Sequence, residues 1–68
     1  MLNYQELFKT YATTSIEPDI ELIKYAYALK KNGQAVDLTR YVGMLKYIVE
    51  NGISKYKKEY ALLIKLFM

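Results

Sequence analysis

The chain contains neither cysteine nor histidine, and this absence limits how so short a protein can be stabilised. Disulfide bonds are excluded, and the usual ligands of a structural zinc ion are missing. A chain of 68 residues buries only about 60% of the surface of its unfolded form, so it is marginally stable without a cross-link. Stability must come from apolar packing, and 53% hydrophobic residues argue for a real core and against intrinsic disorder.

Apolar residues recur at helical spacing in four segments, which the turn-forming stretches TTSIEPD, KKNGQ and VENGIS separate. In the first segment, residues 3–13, the apolar positions fall at i, i+3, i+4 and i+7 and so share one helix face. Those positions are Tyr4, Leu7, Phe8 and Tyr11. Asn3 is expected to cap this helix, with Glu6 three residues later.

The second segment starts near Pro18, which a helix tolerates in its first turn because the N–H groups there lack helical partners. Ser15 or Glu17 is the expected cap. Lysines followed by Asn32 and Gly33 end the segment, since lysine suits the negative helix terminus and glycine suits a left-handed stop. The apolar half of this helix is expected to contain Ile20, Leu22, Ile23, Ala26, Tyr27 and Leu29.

The third segment has Asp37 as its expected cap and Gly52 as its stop, and the fourth follows Ser54 as its cap. Both Asn-Gly pairs also suit β-hairpin turns, but the flanking residues follow the helical period. The sequence therefore predicts an all-α, compact three- to four-helix domain over residues 1–68. The second and third segments are expected to form a helix-turn-helix-like core.

Catalysis is not expected, because no histidine or cysteine is present to act as a base or nucleophile near neutral pH. Glu17, Asp19 and Glu21 lie at a helix start, where capping and the helix dipole account for them, so neither a metal site nor a cofactor is predicted. No apolar run approaches the ~18 residues of a membrane span, and the N-terminus lacks the pattern of a signal peptide. The expectation is a soluble cytoplasmic protein.

A recognition surface is predicted on the outward face of the third segment. Arg40, the only arginine, can form a bidentate contact with guanine or phosphate. Gly43 would let another backbone approach, at a helix cost of about 0.5–1 kcal/mol; alternatively it only eases packing of a neighbouring helix. The predicted nucleic-acid-binding residues are Thr39, Arg40, Gly43, Lys46, Tyr47, Lys30, Lys31 and Gln34, and the predicted partner is duplex or single-stranded DNA.

Residues 18–52 resemble the helix-turn-helix of small DNA-binding or accessory proteins encoded by phages and mobile elements. The resemblance rests on Gly33 in the turn, five residues before Leu38, and on the size and composition of the chain. It implies a second helix that lies in the major groove and a role as a regulator or as an accessory subunit that handles DNA. The alternative is that the lysines form an ordinary solvated surface.

The fourth segment carries more apolar surface than one helix of a monomer needs. Leu62, Leu66 and Met68 either pack between two neighbouring helices or bind a protein partner or a second copy of the chain. In the latter case the protein would be a small subunit or inhibitor of a larger replication or defence enzyme. Tyr25 and Tyr47, each beside a lysine, either cover a helix edge or stack on the bases of a single strand.

Overall fold

The computed structural model describes residues 3–11 and 13–67, and the regular elements in these ranges are all helical. Helix α1 spans Tyr4–Tyr11, α2 spans Ile20–Lys31, α3 spans Leu38–Asn51 and α4 spans Lys57–Phe67. A short 3₁₀ helix, Ile53–Tyr56, leads into α4. The prediction of an all-α domain of three to four helices is confirmed, and each Asn-Gly pair lies at the end of a helix rather than in a hairpin.

The two most extensive helix–helix contacts join helices that are not consecutive in the sequence. Helix α2 packs on α4, and α1 packs on α3, which also contacts α4 and the 3₁₀ helix. Among the described helices, α2 and α3 are not a closely packed pair. The Tyr41 hydroxyl on α3 links them by donating to the Leu22 carbonyl oxygen, 3.2 Å away. The helix-turn-helix-like part of the prediction therefore stays a prediction.

Helix α3 contributes most of the core, because nearly half of its residues are buried. The buried hydrophobic residues are Ile23, Ala26, Tyr41, Val42, Met44, Leu45, Ile48, Leu63 and Leu66. Helix α1 lies against them with half-buried side chains, and its Tyr4 hydroxyl forms a hydrogen bond with the Tyr60 hydroxyl of α4. Each fully buried aliphatic side chain contributes about 1.5–3 kcal/mol, so α3 supplies most of the apolar burial that stabilises the fold.

Side-chain caps define where α1 and α2 begin. Asn3 accepts the backbone N–H of Glu6 at 3.2 Å, as its position in the sequence predicts. Helix α2 is capped by Asp19, whose carboxylate accepts two backbone N–H groups of the first turn at 3.0 and 3.4 Å. The prediction of a cap at Ser15 or Glu17 is therefore wrong, and proline precedes the helix instead of lying in its first turn.

The expected stops and starts around α3 are only partly realised. Gly33 and Gly52 have φ angles of 76° and 112° after α2 and α3, the left-handed region that favours glycine. Asp37 occupies the cap position of α3, but within the described residues its side chain makes no capping hydrogen bond. Ser54 lies inside the 3₁₀ helix, so the prediction that it caps the fourth helix is wrong.

Residues 13–16 cross α3 at Gly43, which is buried. The Ile16 N–H donates to the Gly43 carbonyl oxygen at 3.0 Å. A Cβ atom at Gly43 would lie 2.7 Å from the Thr14 carbonyl oxygen and 2.8 Å from Ile16 Cδ1. The prediction that Gly43 lies on an exposed face is therefore wrong. The glycine does allow a close approach, but the backbone that approaches is an irregular segment of the same chain.

Two further residues on the same face of α3 hold this segment. The Lys46 ammonium donates to the Thr13 carbonyl oxygen at 3.3 Å, and the Ser15 hydroxyl donates to the Glu50 carboxylate. Gly43, Lys46 and Glu50 are spaced by three and four residues, so they form one row along the helix. The polar face of α3 thus binds the connection between α1 and α2.

We expect Gly43→Ala to lower the free energy of unfolding by about 1–3 kcal/mol, because the new methyl group overlaps the crossing backbone. Helix propensity alone predicts the opposite, a gain of about 1 kcal/mol. Urea unfolding followed by circular dichroism measures the difference. Ile16→Ala in the Gly43→Ala background should recover part of the loss. A variant more stable than the wild type would contradict the crossing.

Asp19→Ala should cost about 1 kcal/mol, since two N–H groups at the start of α2 lose their acceptor. Asp37→Ala is the matched control at the start of α3, where the charge acts through the helix dipole alone and the cost should stay below about 0.5 kcal/mol. Thermal unfolding of both variants makes the comparison. An equal or larger loss for Asp37→Ala would refute the assignment of the two caps.

Candidate nucleic-acid interface

The face of α3 on which recognition was predicted is largely engaged with the rest of the chain. Lys46 and Tyr47 are half-buried, the first by its bond to residues 13–16 and the second by its ring contact with Tyr56. The two tyrosine rings meet edge to face, with centroids 5.9 Å apart. Thr39 and Arg40 remain exposed in the first turn. Their role in binding nucleic acid stays a prediction, but no continuous exposed stripe extends from them across Gly43.

The contact between the two tyrosines also affects the titration of Tyr56. A hydrogen bond with the Tyr47 side chain is the main cause that raises the pKa of Tyr56 above its usual value, with smaller contributions from desolvation and nearby negative charge. Tyr47 is therefore positioned by a contact within the chain, between α3 and the 3₁₀ helix.

Lysines from two helices converge where the C-terminal ends of α2 and α4 meet. Tyr27, Lys30, Lys31 and Lys65 line a depression of about 250 Å³. Among the described residues that line it, three carry a positive charge and none a negative charge. Lys24 extends this surface, because seven residues separate it from Lys31 and both side chains are exposed on the outer face of α2. We call this group of five residues the lysine–tyrosine surface.

Lys30 connects the lysine–tyrosine surface to the fold. Its ammonium donates to the carbonyl oxygens of Leu66 at 2.7 Å and of Lys65 at 3.3 Å. These carbonyls belong to the last turn of α4, where a cation is also favoured by the helix dipole. The predicted contact of Lys30 with nucleic acid stays a prediction, but its structural role is to hold the end of α4, including Lys65, beside α2.

A second, more apolar depression lies beside the first. It measures about 390 Å³ and is lined by Leu7, Tyr11, Lys30, Gln34, Val36, Leu38, Leu66 and Phe67. Gln34, which the sequence placed with the nucleic-acid-binding residues, is exposed here. It lies at the rim of this apolar depression, whereas Lys31 lines the basic one.

The predicted protein-binding side of α4 is mostly used within the fold. Leu66 is 3% exposed and belongs to the core, so its assignment to a partner interface is wrong. Leu62 is half-buried, and Met68 lies outside the described residues. The alternative stated for this helix, packing between neighbours, agrees with its contacts to α2 and α3.

Three members of the lysine–tyrosine surface, Lys24, Tyr27 and Lys65, were not among the nucleic-acid-binding residues predicted from the sequence. Tyr27 was placed on the apolar half of α2, yet 36% of its surface is exposed. Its spacing of three and four residues from Lys24 and Lys31 was the available signal. Lys65 gave no such signal, because only the packing of α4 on α2 brings it near Lys31.

Lys30→Ala should lower the free energy of unfolding by about 1 kcal/mol, because the carbonyl groups at the end of α4 lose a charged donor. Lys30→Met keeps the aliphatic stem but not the ammonium and should lose a similar amount. Lys31→Ala, the neighbouring exposed lysine, should change stability by less than about 0.5 kcal/mol. Thermal unfolding measures all three. Equal effects at Lys30 and Lys31 would refute the capping role.

Within residues 3–11 and 13–67, no helix has the length and apolar character needed to cross a membrane. The same residues contain no cluster of three or more acidic, histidine or cysteine side chains suited to a metal ion. Comparison of the chain with protein-family models, curated proteins and solved structures gives no match, so the site is interpreted from its own residues.

Proposed function

We propose that the chain is a small nucleic-acid-binding protein, and that its contact surface is the lysine–tyrosine surface of α2 and α4. The observation that carries the proposal is the convergence of Lys31 and Lys65, from two helices, at one depression with Tyr27. Lysine ammonium groups contact phosphates regardless of base sequence. Neutralising several phosphates releases condensed counterions, and this release supplies most of the affinity of non-specific binding.

The distribution of charge on α4 supports the same surface. Lys58 and Lys65 are both exposed and are seven residues apart, so they lie on one face of the helix. Lys65, at the C-terminal end of this face, lines the basic depression together with Lys31 of α2. A net charge of only +3 is therefore spread unevenly, with lysines concentrated on the paired helices.

The proposal retains the functional class suggested by the resemblance and changes the location of the surface. A regulator or an accessory subunit of a phage or mobile element, handling DNA in the cytoplasm, remains the role we propose. Thr39 and Arg40 are the remaining exposed residues of the face first predicted on α3. The alternative role is a module that binds a protein partner. One of the residues predicted for that interface, Leu66, is buried in the core.

Two triple variants with equal loss of charge distinguish the surfaces. Lys24→Gln, Lys31→Gln and Lys65→Gln together alter the proposed surface, whereas Lys9→Gln, Arg40→Gln and Lys55→Gln alter exposed positions on α1, on α3 and in the 3₁₀ helix. Fluorescence anisotropy with labelled oligonucleotides, from about 50 to about 200 mM salt, measures affinity and its salt dependence. The first triple variant should reduce the magnitude of the negative slope of log K against log salt by about two. The control variant should reduce this magnitude by less.

Two results would contradict this proposal. If neither duplex nor single-stranded DNA shows salt-sensitive binding at tens of micromolar protein, the nucleic-acid function is wrong. If the control variant loses as much affinity as the first triple variant, the lysine–tyrosine surface is not the contact surface. Circular dichroism of both variants checks that the fold is kept.

A further inference from the structure

We infer that Tyr27 stacks on an unpaired base, which makes the lysine–tyrosine surface selective for single-stranded over duplex nucleic acid. This inference rests on the function proposed above and adds the form of nucleic acid that is bound. Its basis is the position of the ring, which lines the same depression as three lysines while keeping 36% of its surface exposed. The ring is therefore accessible to a ligand and lies beside the lysines.

The depression has room for a base. Its volume of about 250 Å³ corresponds to about eight molecules of liquid water, enough for a flat ring with its hydration displaced. Lys31 follows Tyr27 by one helical turn, and Lys65 approaches from α4. A base on the ring would therefore have ammonium groups on two sides, within reach of its own phosphate and that of a neighbouring nucleotide.

Stacking distinguishes the two forms of nucleic acid because the faces of paired bases are already covered. Inside a duplex each base lies between its neighbours, so a protein ring reaches groove edges and backbone only. In a single strand the faces are free, and base–aromatic stacking adds to the phosphate contacts with little regard to base sequence. The lysines can contact the phosphates of both forms, whereas Tyr27 can stack only on the bases of a single strand.

Tyr25 is the matched comparison within the same helix. It is more exposed, at 61%, but two residues from Tyr27 correspond to about 200° of rotation, which places it on the other flank of α2. Tyr25 does not line the basic depression. Its neighbour one turn earlier is Glu21, whose charge repels phosphate. Exposure alone would make Tyr25 the better candidate for stacking on a base. The positive charge around Tyr27 makes Tyr27 the better candidate.

The test compares Tyr27→Ala, Tyr25→Ala and Tyr27→Phe in the full chain by anisotropy, with oligo(dT), oligo(rU) and a mixed-sequence DNA duplex as probes. Tyr27→Ala should weaken binding of both single strands about tenfold and leave duplex binding within about twofold. Tyr25→Ala and Tyr27→Phe should leave all three affinities nearly unchanged. Similar losses with oligo(dT) and oligo(rU) are expected, because the contact uses the base face and not the sugar.

Failure of this inference is distinguishable from failure of the proposed function. If no oligonucleotide binds the wild type, the proposed function itself is wrong. If oligonucleotides bind but Tyr27→Ala changes single-strand and duplex affinity alike, or acts on only one of the two single strands, the stacking inference is overturned and the lysine surface stands. If Tyr27→Ala unfolds, Tyr27→Leu replaces it, and unchanged single-strand affinity in that folded variant overturns the inference.

Discussion

The crossing of residues 13–16 over α3 is the contact on which the arrangement of the helices depends. It requires a residue without a side chain at position 43, since the Thr14 carbonyl oxygen would lie only 2.7 Å from a Cβ atom there. Lys46 and Glu50 add hydrogen bonds along the same row. The connection between α1 and α2 is thereby held on α3, and Gly43, the one glycine inside the helices of residues 3–11 and 13–67, has a structural explanation.

Helical periodicity predicted most of what is regular in this fold. The apolar stripe of α3 is the buried one, with Met44, Leu45 and Ile48 at its centre, because burial along a helix follows the same 3.6-residue period as its sequence. The stops at Gly33 and Gly52 were also predictable, since a positive φ favours glycine.

Periodicity carries no information about irregular segments that pack on the other side of a helix. The polar residues of α3 looked exposed because their pattern describes the helix by itself, and residues 13–16 have no period of their own. A lysine and a glutamate on an outer face are equally compatible with solvent and with a bound backbone. For this reason the location of Gly43, and with it most of the predicted recognition face, could not be read from the sequence.

In the candidate site too, some residues could be predicted from the local sequence and others only from the packing of distant helices. Lys31 was predicted from its place near the end of α2, and Lys65 required the packing of α4. Both lysines lie close to helix C-termini, where positive charge is favoured by the helix dipole. The composition of the surface is therefore compatible with the stability of the helices that form it, and Lys30 shows this directly through its bonds to α4.

The pairing of α1 with α3 and of α2 with α4 also has a consequence for how the chain folds. The two pairs interleave along the sequence. A break in the chain between α2 and α3 therefore separates α1 from α3 and α2 from α4. No contiguous half of the chain contains a complete pair, and contacts distant in sequence must form before either pair is stable. We therefore expect the protein to unfold in a single cooperative transition, because neither pair is complete within one half of the chain.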